Sequence, residues 1–172
     1  MRQYDIVKAG SGHIMCIHDM AELVFRHTYK DILAPDQLDY MMDWMYSPDS
    51  LKRQMEEGHV FYIAYNYGKP CAYVSVQPDG SSEDGAMLFH LQKIYILPSE
   101  QGQGLGRILF DTVVSHVRRC ADGNKARIEL NVNRNNPAIG FYQHLGLKIL
   151  RQGDFHIGNG YYMNDYIMGI DL

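Results

Sequence analysis

The chain has 172 residues, enough for one domain with a real core. Its content of 46% hydrophobic and 21% charged residues excludes a disordered, collagenous or disulfide-stapled chain. A formal net charge of −4 excludes a global basic field for nucleic acid.

Tyr4 to Lys8 reads as a short strand. Asp19 to Thr28 reads as a helix, with Met20, Leu23, Val24 and His27 on one face. "ILAPDQLDYMMDWMYS" predicts a second helix, with Pro35 near its first turn. "SPDSLKRQMEEG" predicts a third, capped by Ser47, with Pro48 at N1 and Gly58 after the last turn. The pattern then shifts to β-branched and aromatic residues. "HVFYIAYNYG", "PCAYVSVQPDG" and "AMLFHLQKIYILP" predict three consecutive antiparallel strands, separated by turns at Gly68-Lys69-Pro70 and Pro78-Asp79-Gly80.

A glycine-rich loop, "SEQGQGLGRILF", comes next. After it a helix is expected from about Leu105 to Cys120, because Leu105, Leu109, Val113 and Val117 form an apolar stripe. Asp122-Gly123-Asn124 ends it. "ARIELNVN" is a strand. "NNPAIGFYQHLG" is a short helix with Asn136 as cap, Pro137 at N1 and Gly146 at its end. Two strands, roughly 147–157 and 161–171, close the chain. The order predicts one α/β domain over residues 1–172, with a central mixed, mostly antiparallel sheet flanked by helices.

Cys16, Cys71 and Cys120 are odd in number and widely spaced, with no C-x-x-C. A reduced chain without a zinc site is expected. "MRQYDIVKAG" has no signal-peptide core, and no apolar run approaches membrane-spanning length. The expectation is a cytoplasmic protein with no nucleic-acid and no membrane partner.

Glycine inside a helix start costs about 1 kcal/mol relative to alanine, so three of them suggest a ligand for the backbone N–H groups. A helix N-terminus offers unpaired donors and positive potential to an anion. Gly102, Gly104 and Gly106 let a phosphate approach with no Cβ in the way, and Arg107 adds a cation. Two familiar phosphate motifs fail here. No Lys-Ser/Thr follows, so this is not a P-loop, and Arg107 stands where the dinucleotide pattern wants its third glycine. What fits is Q-x-x-G-x-G, as Gln101, Gly104 and Gly106. A tight turn without a ligand is the competing reading.

One strand later, "NRNNPAIGFYQHLGL" resembles the N-x-x-A-I-x-[FLY]-Y-x-x-x-G-[FL] signature of the Gcn5-related N-acetyltransferase superfamily. The Q-x-x-G-x-G loop is similar to that superfamily's pyrophosphate-binding element. The resemblance covers essentially the whole chain in element order and implies an acyl-CoA N-acyltransferase fold. It implies acetyl-CoA as cosubstrate, no metal, and acetyl transfer to a primary amine of a small molecule or peptide by direct attack. By the same resemblance the backbone of Ile94, Tyr95 and Ile96 pairs with the pantetheine arm like an added strand. Gln101, Gly102, Gln103, Gly104, Leu105, Gly106 and Arg107 hold the pyrophosphate. The family asparagine falls on Asn135 by its distance to the tyrosine and on Asn136 by its distance from Val132. Tyr142 aligns with the family tyrosine that protonates the departing thiolate, against the alternative of a core tyrosine on an apolar helix face. His90 falls where several members carry a base, and an ordinary sheet histidine is the other reading.

The resemblance places the acceptor near the first two helices and the last strands. There Tyr29, Tyr40, Trp44, Tyr46, Tyr161 and Tyr162 are candidate lining residues, and Asp39, Asp43 and Asp165 candidate anchors for a cation. A homodimer is left open as an assembly. Two rival functions are a non-catalytic acetyl-CoA-binding regulatory module and a transferase for another acyl-CoA.

Overall fold

The structure, a computed structural model, describes residues 3–172. In chain order it has β1 (Tyr4–Lys8), α1 (Ile14–Tyr29), α2 (Pro35–Tyr46), α3 (Pro48–Glu56), β2 (Val60–Asn66), β3 (Lys69–Ser81), β4 (Met87–Ile96), α4 (Leu105–Ala121), β5 (Ala126–Asn133), α5 (Ile139–His144), β6 (Lys148–Gly158) and β7 (Tyr161–Asp171). The seven strands follow the order β1-β2-β3-β4-β5-β7-β6 in one sheet. β4 and β5 pair in parallel, whereas β1–β2, β2–β3, β5–β7 and β6–β7 are antiparallel. The expected mixed, mostly antiparallel sheet flanked by helices is what the chain forms.

Several elements follow from local chemistry. Ser47 Oγ accepts from the Ser50 amide and caps α3, and Pro48 occupies its first turn. In α4, Leu105, Leu109, Val113 and Val117 are at most 1% exposed. Each such burial contributes roughly 1.5–3 kcal/mol, which explains why the stripe specifies the helix.

Three boundaries differ from expectation. α1 begins at Ile14, five residues before the predicted start, because His13 Nδ1 accepts from the Gly10 amide and closes a preceding tight turn. Pro78-Asp79-Gly80 is not the turn after β3; the strand runs on to Ser81. The reversal falls at 82–85 instead, where the Ser82 hydroxyl accepts from the Ala86 amide and Gly85 takes φ +83°. α5 begins at Ile139, since Asn136 Oδ1 bonds the Ala138 amide in a turn that holds Pro137 ahead of the helix.

The chain divides into two compact units, residues 1–77 with 93–113 and residues 78–92 with 114–172. In the first, Phe25, Tyr46, Tyr73 and Phe61 are at most 1% exposed and form an aromatic core with Ile17, Met41 and Leu51. Tyr73 donates to the Tyr46 hydroxyl at 3.0 Å, so both phenols are satisfied inside it. In the second, Ile128, Leu130 and Val132 point one face of β5 inward, while Arg127, Glu129, Asn131 and Asn133 occupy the other.

Candidate active site

The first unit carries the glycine loop. Gln101, Gly102, Gln103 and Gly104 are all exposed. Gly102 has φ +74° and Gly104 φ +80°, conformations in which glycine is the residue of least strain. An ideal Cβ on either would meet nothing within 4 Å, so open space lies above this backbone. Gln101 Nε2 donates to the Ile96 carbonyl at 3.2 Å and ties the loop to the end of β4. Its amide therefore acts as a strut. Ile108 N–H bonds the Gly104 carbonyl, so Gly104 is the N-cap of α4 and the N–H groups of residues 105–107 have no acceptor inside the helix. Leu105 is buried and anchors the turn, Gly106 is buried beside it, and Arg107 is exposed. The arrangement suits an anion: exposed donors, a positive helix end, a nearby guanidinium and no side chain in the way.

Ile94, Tyr95 and Ile96 are half-buried in β4. The Tyr95 side chain joins the aromatic core, with its hydroxyl 3.3 Å from that of Tyr29 and its ring edge-on to Phe25 at 6.1 Å. That core also takes in Tyr29 and Tyr46, which are 4% and 0% exposed and so serve packing rather than a pocket wall.

One residue before this segment is a group the sequence reading passed over. Lys93 is 5% exposed, and its ammonium donates to Gln54 Oε1 at 2.7 Å. It lies 5.5 Å from the ring centroids of both Tyr46 and Phe61. Burial brings its pKa down to about 7, because the low-dielectric interior penalises the charged form. A lysine inside the apolar run "LQKIYIL" was the available signal.

The second unit carries the other candidates. His90 pairs with Glu129 across the parallel β4–β5 ladder, so the two side chains share a face. His90 has 15% of its side chain exposed, and its Nδ1 lies 3.9 Å from Asp79 Oδ2. Glu129 is buried and held bidentately by Arg151, at 2.9 and 3.3 Å. Tyr142 is 7% exposed in α5, with its ring 5.5 Å from that of Phe141. Asn136 is 7% exposed with its oxygen on the Ala138 amide, whereas Asn135 is exposed and donates its own amide to Asn133 Oδ1. Of the two, Asn136 is the one built into the turn.

Among the described residues, no group of three or more His, Cys, Asp and Glu side chains is arranged to hold a metal ion. Nor is any helix among them long and apolar enough to cross a membrane.

The profile of the Acetyltransferase (GNAT) family matches residues 24–147, a span holding both the glycine loop and Tyr142. The chain belongs to the GNAT acetyltransferase family. Solved structures of similar fold include the PaiA N-acetyltransferase from Thermoplasma acidophilum in complex with coenzyme A. It is 17% identical with TM-score 0.78, and the alignment covers 99% of each chain. Arabidopsis thaliana Naa50, in complex with a bisubstrate analogue, CoA-Ac-MVNAL, is 17% identical with TM-score 0.67 over 98% of this chain and 99% of its own. The putative acetyltransferase yncA from Salmonella typhimurium, with its cofactor acetyl-CoA, is 18% identical with TM-score 0.67 over 99% and 94%. At these identities the likeness is one of fold: a GNAT sheet with its loop before α4 and its tyrosine on α5.

Proposed function

We propose that the chain is an acetyl-CoA-dependent N-acetyltransferase, with residues 1–172 as one catalytic domain, acting on a primary amine of a small molecule or peptide. The observation that carries this reading is the loop of residues 101–107. Two left-handed glycines face open space at the capped start of a 17-residue helix, a cradle whose first donors suit a pyrophosphate. When bound, acetyl-CoA supplies the thioester carbonyl that the amine attacks.

The chain's own groups do the rest. The loop and Arg107 bind the phosphates. The backbone of Ile94 to Ile96 orients the pantetheine amides as a neighbouring strand would, and an N–H there steadies charge on the carbonyl oxygen. Alkylammonium groups have pKa near 10, so the acceptor must lose a proton before attack. His90, next to Asp79 and partly open to solvent, accepts that proton through water. The Tyr142 phenol donates to the sulfur as it gains charge.

The direct test is release of CoA thiol from acetyl-CoA across a panel of polyamines, amino acids, aminoglycosides and peptides. Release with no amine in the panel, in a protein that binds acetyl-CoA, would overturn acetyl transfer in favour of a binding module.

Two further outcomes are expected. Gly104→Val should weaken CoA binding about tenfold or more and also lower the melting temperature, since a β-branched residue is strained at φ +80°. Arg107→Ala, at an exposed position, should weaken CoA binding without moving the melt. Calorimetry on both variants separates strain from the phosphate contact; full affinity in each would remove the loop from CoA binding. His90→Ala should slow turnover most below the amine pKa, with partial recovery at higher pH. A pH–rate profile of unchanged shape would take His90 out of the mechanism.

A further inference from the structure

Asp165 on β7 is 1% exposed, yet its Oδ1 has no hydrogen-bond partner among the described residues. Its Oδ2 accepts a long bond, 3.3 Å, from Asn131. The nearby Arg134 guanidinium is engaged by Asp154. Desolvation raises the carboxyl pKa, as expected of an under-compensated buried acid. Leaving a charged oxygen buried and unpaired is costly, so the position calls for a donor that the described residues do not supply.

The surroundings say what kind of donor. Asp165 stands opposite Asn133 on β5 and Gly153 on β6, so all three project from one face of the sheet. Gly153 contributes no side chain. An ideal Cβ there would come within 2.9 Å of the Phe155 ring, which is the reason a glycine is needed at a position without left-handed φ. The Phe155 ring therefore lies down over Gly153, beside the carboxylate. It is 40% exposed, and β6 ends the strand order, so rotation of this one ring opens the carboxylate to solvent. A carboxylate below and an aromatic face above form a cage for an alkylammonium, which brings three donors and a charge.

The attacking amine is not the group such a cage would hold. It must be neutral when it reacts, and a buried carboxylate favours the charged form. We propose that Asp165, under the Phe155 ring, binds a second ammonium of the acceptor, making the acceptor a small dicationic amine such as an α,ω-diamine or polyamine. This rests on the reading of the chain as an amine acetyltransferase and names the acceptor class for it.

The test compares 1,4-diaminobutane and spermidine with n-butylamine, in the wild type, Asp165→Asn and Phe155→Ala. Steady-state kinetics should show the wild type preferring the dications. In both variants that preference should fall about tenfold or more, through KM rather than kcat, because the contact is to a part of the acceptor that does not react. Phe155→Ala changes an exposed ring, so it keeps the test valid if Asp165→Asn folds poorly. Calorimetry with spermidine in the absence of acetyl-CoA reads the cage without turnover, and the affinity should fall in both variants. An unchanged dication preference in both variants, or no spermidine binding by the wild type, overturns the inference. Spermidine binding that depends on Asp165, in a protein that acetylates no amine, would uphold the cage and overturn acetyl transfer instead.

Discussion

Tyr142→Phe should lower kcat by about 10²–10⁴, the usual worth of a positioned general acid. The substitution keeps the ring, its 5.5 Å contact with Phe141 and the burial at 7% exposure. It deletes only the hydroxyl, so packing in α5 is preserved and chemistry is isolated. A free thiol has pKa near 8.5 and a phenol near 10, so the phenol stays protonated at neutral pH and can donate to a sulfur that is gaining charge. Affinity for acetyl-CoA should barely change, because the sulfur carries little charge before the bond breaks. A packing tyrosine would show the reverse: a shifted melt and normal turnover per folded molecule. Single-turnover rates with acetyl-CoA and the best amine decide between them. Wild-type chemistry in Tyr142→Phe would assign the proton to water or another group.

Lys93→Met should make the protein more stable near neutral pH and less stable at high pH. In the unfolded chain the amine has pKa 10.5; in the fold burial lowers it to about 7. Above pH 10.5 both states are neutral and burial costs nothing in charge. As the pH falls through that range, the unfolded state takes up the proton first and folding loses stability. Below pH 7 the loss is complete, on the order of 5 kcal/mol. Methionine fills the same space without a titration. It also leaves Gln54 Oε1 short of a donor, a cost of about 1–3 kcal/mol at every pH. The two effects have opposite sign, so the stability curves of wild type and variant should cross between pH 7 and 10.5. Urea denaturation at several pH values checks this. A difference between the two proteins that does not vary with pH would mean that Lys93 stays charged in the fold.

What local patterns encode, the sequence alone determined. The Leu105, Leu109, Val113 and Val117 stripe, the Ser47-Pro48 start of α3 and the strand composition of residues 60–96 depend on neighbours a few positions away, and each formed the element expected of it. The family was legible for the same reason, since Q-x-x-G-x-G and "NPAIGFYQHLG" are contiguous in the chain. Where two local signals competed, the fold chose. Pro78-Asp79-Gly80 and residues 82–85 both read as turns, and the Ser82 side-chain bond to Ala86 went with the second. Roles that depend on distant partners were not legible. Tyr29 and Tyr46 looked like pocket residues because an aromatic at helical spacing gives no sign of whether it meets solvent or a core. Lys93 meets Gln54 across 39 residues. Asp165 meets Asn131 across 34, and it faces Gly153 only because β7 is inserted between β5 and β6. The penalty on a buried charge exists only once the surrounding chain has displaced water, so the tertiary structure alone decided where Lys93 and Asp165 would have their protons and partners.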